Sequence, residues 1–212
     1  QSHVDCDPGL AVRVPNSIAN EVAARAYVNP LAVLQMLARW PVDGRRVLLS
    51  GAGSECASLL GYSARTRGAA EVVGIYRSAS RADRMRALGI VPVSEKDERR
   101  ILREAREADI VFDALGGPLA TLILANMRSA TVFVGYGLLT GRPVRYDAAV
   151  RARFERFHLR DAVRAMNEGA WQTAFSEVWA MVERVELPAP QFFGVEEWRT
   201  AVEHAVRPGG SK

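Results

Sequence analysis

The sequence contains little cysteine and little histidine. Cys6 and Cys56 are the only cysteines among 212 residues, and there are three histidines. Two cysteines are too few for a disulfide scaffold, and neither residue type has the spacing of zinc ligands. The sequence therefore predicts no metal site, and a reducing, cytoplasmic compartment is the expected location.

Long apolar runs are missing as well. No stretch approaches the eighteen or so apolar residues that a bilayer span needs, so we expect no membrane partner. The charged fraction of 25% and the lack of low-complexity tracts exclude a disordered chain. An apolar fraction of 49% over 212 residues is enough for the core of one large domain. The sequence given starts with Gln1, without an initiator Met or the apolar region of a signal peptide, and we expect it to start inside a longer protein.

Lysine is nearly absent, and the net charge of +4 comes almost entirely from arginine. Lys96 and Lys212 are the only lysines. No basic stripe with interleaved aromatic residues occurs, so we expect no nucleic-acid partner. The charge fits a phosphorylated small ligand equally well.

Five short apolar runs, separated by helical patterns, dominate the middle of the chain. Strands that alternate with helices predict βαβ units and a parallel sheet. The fold class is therefore α/β, a Rossmann-type doubly wound sheet with helices on both faces. The predicted strands are 46–50, 71–76, 90–93, 109–113 and 130–134.

The two ends of the chain show other patterns. A short strand is predicted at 9–14, and Pro30 interrupts the helical pattern that follows it. Apolar residues at spacings of three and four predict a buried helix face over 171–182. Further helices are predicted near residue 18, over 31–40 and over 195–206.

The first turn between a strand and a helix contains Gly51 and Gly53 and leads into Ser54, Glu55 and Cys56. Such a turn can hold a dinucleotide diphosphate, because glycine admits the phosphates and the helix N-terminus attracts negative charge. The pattern lacks its closing glycine, and Glu55 would compete with a phosphate. An ordinary helix start with an acidic first turn remains an equal alternative. For Cys56, small-residue packing is favoured over a reactive thiol.

The end of the second predicted strand strengthens the nucleotide interpretation. An NAD site usually has an acidic residue about 20 residues beyond the glycines. Here the segment contains Tyr76, Arg77, Ser78 and Arg81 and no acid. Two guanidinium groups and two hydroxyls, those of Ser78 and Ser80, suit a 2′-phosphate. The alternative is a pair of solvated arginines at a helix start.

Eight short segments, taken in their order and spacing, are more specific than any single motif. They are 14–17 (Val-Pro-Asn-Ser), 21–24 (Glu-Val-Ala-Ala), 28–31 (Val-Asn-Pro-Leu), 44–48 (Gly-Arg-Arg-Val-Leu), 68–69 (Gly-Ala), 87–89 (Ala-Leu-Gly), 112–117 (Phe-Asp-Ala-Leu-Gly-Gly) and 135–137 (Gly-Tyr-Gly). Together they resemble the medium-chain dehydrogenase/reductase superfamily, and the most similar branch is that of the zinc-free quinone oxidoreductases and 2-enoyl thioester reductases. The resemblance covers nearly the whole chain.

The resemblance implies a Rossmann domain at 18–186, a remnant of a GroES-like catalytic lobe at 1–17, and a return segment toward that lobe at 187–212. It also implies a homodimer that uses NADPH to reduce the activated C=C bond of an enone, quinone or 2-enoyl thioester. Most of the catalytic lobe is missing, and with it the usual catalytic tyrosine. No catalytic residue is therefore predicted, and the isolated chain is expected to be weakly active or inactive.

The same resemblance assigns cofactor contacts along the chain. The turn at 51–57 would hold the diphosphate, and Arg77, Ser78 and Arg81 the 2′-phosphate. Departures from the family at Ala32, Glu55 and Ala57 leave an alternative open, a degenerate module with a structural or protein-interaction role. The remaining implied cofactor contacts are Leu115, Gly116, Gly135, Tyr136, Gly137, Phe157, His158 and Leu159.

Overall fold

The computed structural model describes residues 5–185 and 187–206. Within them, six strands form one sheet in which every pairing is parallel. The strands are β1 (Arg46–Leu49), β2 (Glu71–Tyr76), β3 (Val91–Ser94), β4 (Ile110–Asp113), β5 (Val132–Gly135) and β6 (Arg153–Arg156).

Helices connect the strands and flank the sheet. Short 3₁₀ segments occur at Pro8–Leu10, Ala79–Arg81 and Val195–Glu197. The α-helices are α1 (Asn20–Ala23), α2 (Val28–Arg39), α3 (Glu55–Thr66), α4 (Ala82–Ala87), α5 (Glu98–Glu107), α6 (Gly117–Asn126), α7 (Leu159–Arg164), α8 (Glu168–Arg184) and α9 (Trp198–Val206). None of the helices in the described ranges is long and apolar enough to span a bilayer.

The strand order across the sheet is β3-β2-β1-β4-β5-β6. This order places β1 in the middle, with Leu48 opposite Val73 on one side and Val111 on the other. The chain winds outward from β1 in one direction and then returns to wind outward in the other. The predicted Rossmann-type α/β fold is confirmed.

The sheet separates two apolar cores because successive side chains of a strand point to opposite faces. Leu48 packs with residues of α5 and α6, whereas Leu49 packs with residues of α2, α3 and α8. Phe133 anchors the first core and Phe112 the second, and both are completely buried. Burial of one such ring contributes about 2 kcal/mol, so both faces stabilise the sheet strongly.

The predicted apolar face of α8 is confirmed. All six of its predicted residues are buried, and they pack in the core that also contains α2. The helix is longer than the pattern that predicted it, since Asn167 caps its N-terminus by accepting a hydrogen bond from Ala170 N (2.8 Å). The buried residues of this face are Trp171, Ala174, Phe175, Val178, Trp179 and Val182.

The start of the chain differs from the sequence prediction. The strand expected at 9–14 is not formed, and the described residues before α1 contain only the 3₁₀ segment Pro8–Leu10. Asp7 caps this segment by accepting from Gly9 N (2.9 Å), and Pro8 fits its first position. Helix α2 begins at Val28 rather than at residue 31, because a proline in the first turn removes no helical hydrogen bond.

The sequence prediction missed β6 and α7. The strand β6 contains Arg153, Glu155 and Arg156 and forms an edge of the sheet. Charged residues are common on edge strands, where they oppose pairing with other chains, and they hide the apolar pattern of a strand. The sheet therefore has six strands within the described residues, where five were predicted.

Candidate functional site

The turn after β1 adopts a conformation that requires glycine. Gly51 has a φ of +58°, and a Cβ at this position would lie 3.1 Å from Leu115 Cδ2. Ser54 ends the turn as the N-cap of α3, where its hydroxyl accepts a hydrogen bond from Ala57 N (3.3 Å). The turn thus delivers the chain directly into the N-terminus of α3, as the sequence predicts.

Three backbone amides of this turn have no protein acceptor. Those of Gly53, Glu55 and Cys56 donate to no residue within 5–185 or 187–206. The first amides of a helix lack intrahelical partners, and the helix dipole adds positive potential at this end. A phosphate group would satisfy such amides, so the N-terminus of α3 can bind an anion.

The Glu55 side chain does not occupy these amides. Its Oε1 accepts a hydrogen bond from Asn29 Nδ2 (3.1 Å), and its Oε2 lies 3.4 Å from Arg25 Nη1. Both members of the ion pair are largely buried, with 18% of the Arg25 side chain and 16% of the Glu55 side chain exposed. The competition with phosphate that the sequence suggested is thus opposed by two side chains that hold the carboxylate elsewhere.

A buried polar network supports the neighbouring loop. Asp113 ends β4, and its carboxylate accepts hydrogen bonds from Ser50 Oγ, from Gly116 N (2.8 Å) and from Leu115 N (3.3 Å). Ser50 Oγ in turn accepts from Ala114 N (3.0 Å). Burial raises the pKa of Asp113, and these hydrogen bonds partly oppose the increase. Asp113 therefore positions the loop after β4.

Tyr136 is half-buried and packs against the core that contains α3. Its hydroxyl is buried and forms no hydrogen bond with the described residues. Burial raises the pKa of Tyr136 well above its ordinary value, and the nearby Cys56 and Asp113 raise it further. The phenol therefore stays protonated at neutral pH and gives up its proton reluctantly.

Cys56 lies in the first turn of α3 but is not set up as a nucleophile. Burial, followed by the charge of Glu55, raises the pKa of Cys56 to about 12. A thiol with this pKa is almost entirely protonated at neutral pH. The packing interpretation of Cys56 thus fits the structure better than the reactive-thiol interpretation.

A basic edge lies beside the turn, at the end of β2. Arg77 is exposed and forms no hydrogen bond or ion pair with any residue in the described part of the chain. The hydroxyls of Ser78 and Ser80 are 2.9 Å apart. The Arg81 side chain lies over Gly53, where an added Cβ would be 3.1 Å from Arg81 Cγ. We call Arg77, Ser78 and Arg81 the arginine edge.

The loops after β4 and β5 approach each other closely. A Cβ at Gly137 would lie 2.6 Å from Ala114 O, and one at Gly116 would lie 2.3 Å from Arg142 O. Tyr136 N and Gly137 N both donate to Asp113 O, at 2.9 and 3.2 Å. The structure therefore brings these predicted residues together at the carboxyl edge of the sheet, next to the turn after β1.

The segment after β6 contributes less than the sequence analysis assigned to it. Phe157 is buried, and its ring packs edge-on against Trp40 with the centroids 6.2 Å apart. His158 is exposed at the N-cap of α7, and Leu159 is half-buried. The Phe157 side chain thus stabilises the core. Its backbone still contacts the candidate site, because Phe157 N donates a hydrogen bond to Gly135 O (3.0 Å).

Sequence reasoning missed the partners of Glu55. Asn29 occurs in the sequence analysis only within the segment 28–31, and Arg25 has no predicted role. An arginine near the start of α2 carries no local signal for a partner in α3. The contact forms because α2 and α3 pack on the same face of the sheet. The described residues contain no group of three or more His, Cys, Asp or Glu that could hold a metal ion.

Comparisons with known proteins agree with the fold. No protein-family model matches the chain. A curated relative, the mitochondrial enoyl-[acyl-carrier-protein] reductase of Arabidopsis thaliana, is 26% identical over 156 residues, which cover 68% of this chain and 41% of the relative. The chain thus spans less than half the length of this relative.

Solved structures share the architecture at low sequence identity. A quinone oxidoreductase of Pseudomonas syringae is 20% identical with a TM-score of 0.79, covering 94% of this chain and 66% of that one. The Escherichia coli quinone oxidoreductase complexed with NADPH is 16% identical with a TM-score of 0.72, covering 81% and 56%. A mutant enoyl thioester reductase of Candida tropicalis is 14% identical with a TM-score of 0.75, covering 89% and 60%.

The fold and the turn after β1 define an α/β domain of the Rossmann type. The predicted resemblance agrees with these comparisons, since the chain is similar in sequence to an enoyl reductase and similar in fold to quinone oxidoreductases and an enoyl thioester reductase. The chain also spans less than two thirds of the Escherichia coli and Candida tropicalis structures.

Proposed function

We propose that this chain is the cofactor-binding part of an NADPH-dependent oxidoreductase. The observation that carries the proposal is the set of unpaired amides of Gly53, Glu55 and Cys56, next to the arginine edge. The amides suit a diphosphate, and the arginine edge suits the 2′-phosphate that distinguishes NADPH from NADH. The Escherichia coli structure that shares this fold was solved with NADPH, which supports the same cofactor here.

The residues present fit this cofactor. A phosphate would satisfy the amides of the α3 N-terminus, and Arg77 has no competing partner among the described residues. Leu115, Gly116 and the 135–137 segment would lie beside the nucleoside parts. Bound NADPH would supply a hydride, and the names of the relatives favour the activated C=C bond of an enone, quinone or 2-enoyl thioester as its acceptor.

Turnover requires more than these residues. Tyr136 and Asp113 are buried with raised pKa values and serve the packing of the loops, so neither is a suitable proton donor to a substrate. We therefore propose that the isolated chain binds the cofactor and reduces substrates weakly or not at all. The proposed arrangement includes the domain division at 1–17, 18–186 and 187–212, a homodimer and a cytoplasmic location.

A second candidate function is a structural or protein-interaction role without turnover. It is favoured by Glu55, which ties α3 to Asn29 and Arg25, and by Ala57 in place of a glycine. In this case the turn after β1 would serve only to connect β1 to α3, and the amides would be satisfied by water.

Titration with NADPH, followed by tryptophan fluorescence, tests the two candidates. We expect a submillimolar Kd, and about tenfold weaker NADPH binding in Arg77→Ala because one charged contact to the 2′-phosphate is lost. NADH affinity should not change, since NADH lacks that phosphate. Arg99→Ala, which removes an exposed arginine of α5, is the matched control. No binding at millimolar NADPH would contradict the proposal and support the structural role.

A further inference from the structure

The Glu55 carboxylate presents a problem for any anion at the turn after β1. Glu55 is the first residue of α3, and its own amide belongs to the candidate diphosphate site. A carboxylate there competes for the same amides and repels a diphosphate. In the structure the Glu55 carboxylate points away from these amides. Its Oε1 accepts a hydrogen bond from Asn29 Nδ2 (3.1 Å), and its Oε2 forms an ion pair with Arg25 Nη1 (3.4 Å).

Arg25 is held in place by contacts other than Glu55. Its Nε donates to Glu21 O (3.2 Å), and its Nη1 donates to Pro188 O (2.8 Å). Two carbonyl groups from separate segments therefore hold the guanidinium in place independently of its ion pair with Glu55. A fixed guanidinium in a largely buried setting pairs with a carboxylate more effectively than one on a mobile surface side chain.

We propose that Arg25, assisted by Asn29, is a positioning residue that keeps Glu55 away from the amides of α3 and neutralises it, so that the turn can accept the cofactor diphosphate. Arg25 would act through Glu55 and make no contact with the cofactor. This inference rests on the proposed cofactor function. It explains how the turn can keep an acidic residue where a phosphate must approach.

The test is a pair of substitutions in the full chain, with Kd values for NADPH and NADH measured well below the midpoint of thermal unfolding. Arg25→Ala should weaken the binding of both cofactors by about tenfold, because the diphosphate is common to both. The double variant Arg25→Ala/Glu55→Gln should recover to within about threefold of the unmodified chain, because the unpaired charge is gone.

Arg67→Ala is the matched control. Arg67 pairs with Glu177 at 3.2 Å and follows the opposite end of α3, so its removal also breaks an arginine–glutamate pair but leaves the turn intact. We expect its Kd values to be unchanged. Thermal unfolding of all variants separates effects on stability from effects on binding, since a purely structural ion pair would alter the unfolding midpoint and leave the Kd of the folded protein unchanged.

Three results would overturn the inference. Unchanged affinity in Arg25→Ala would show that Glu55 needs no partner, and failure of the double variant to recover would show that Arg25 acts in another way. Loss of NADPH binding alone would place Arg25 at the 2′-phosphate instead. In each of these three cases the unmodified chain still binds NADPH, and the proposed function is unaffected. If the unmodified chain binds neither NADPH nor NADH, both the proposed function and the role of Arg25 are overturned.

Discussion

The polar groups behind the turn after β1 and those of the arginine edge lie at the same end of the sheet but in opposite environments. Asp113 and Ser50 are completely buried and bonded to each other and to backbone amides. Arg77 is exposed and has no partner within the described residues. The buried groups thus shape the site, and Arg77 remains available to a ligand.

The contrast follows from the cost of moving polar groups out of water. A buried carboxylate is tolerated only when hydrogen bonds replace its hydration, and this fixes its position. An exposed guanidinium keeps its water and exchanges it for a phosphate at little cost. Substitutions in the buried group should therefore affect folding, and substitutions in the arginine edge should affect binding alone.

The largest effect is expected for Asp113→Ala. This change leaves the Ser50 hydroxyl and the amides of Leu115 and Gly116 without their acceptor in a region that is largely shielded from water. We expect the free energy of unfolding to fall by about 4 kcal/mol, measured by urea denaturation. The control is Asp147→Ala, an exposed aspartate, with an expected loss below about 0.5 kcal/mol. Equal losses would contradict the distinction between buried and exposed groups.

A smaller loss of stability is expected for Gly116→Ala. Gly116 has a φ of +64°, and an added Cβ would meet the backbone oxygen of Arg142 at 2.3 Å. The combined strain and overlap should cost about 3 kcal/mol by urea denaturation. Gly141 has a φ of +68° with open space around it, so Gly141→Ala should cost only about 1 kcal/mol. If both variants lose the same amount, the close loop approach contributes nothing.

The smallest effect concerns reactivity rather than stability. With its pKa raised to about 12, Cys56 is deprotonated in only about one molecule in ten thousand at pH 8. The variant Cys6→Ser retains only Cys56, and the variant Cys56→Ser retains only the exposed Cys6. At pH 8 a thiol reagent should therefore react at least about a hundredfold more slowly with Cys6→Ser than with Cys56→Ser. Similar rates would show that Cys56 is more accessible than its burial indicates.

Local patterns were sufficient for most of the sheet. The run at 71–76 predicted β2 with its observed bounds, and the helix predicted to follow the glycine turn begins at Glu55. β2 is a strand with buried residues on both faces, and α3 is capped by Ser54. Both properties depend on residues that are adjacent in the chain, so a local pattern can predict them. The prediction of a strand at 9–14 was wrong, because a strand also needs a neighbour to pair with, and none lies there among residues 5–185 and 187–206.

The candidate site divides in the same way. Gly51 and Gly53 could be found because the turn they form is local, and Arg77 because it follows a strand end. The partners of Glu55 and of Asp113 could not be found, since Arg25 is 30 residues from Glu55 and Ser50 is 63 residues from Asp113 along the chain. Phe157 was assigned to the cofactor, but its ring packs against Trp40 in the core.

The sequence by itself determined the alternation of strands and helices, the glycine turn after β1 and the basic composition of the segment after β2, because each depends on residues adjacent in the chain. The tertiary structure alone decided which charges meet. Packing of α2 beside α3 paired Glu55 with Arg25, and the neighbouring positions of β1 and β4 buried Asp113 against Ser50. Long-range pairs of this kind arise from the fold, because electrostatic interactions depend on distance and burial, neither of which a linear pattern specifies.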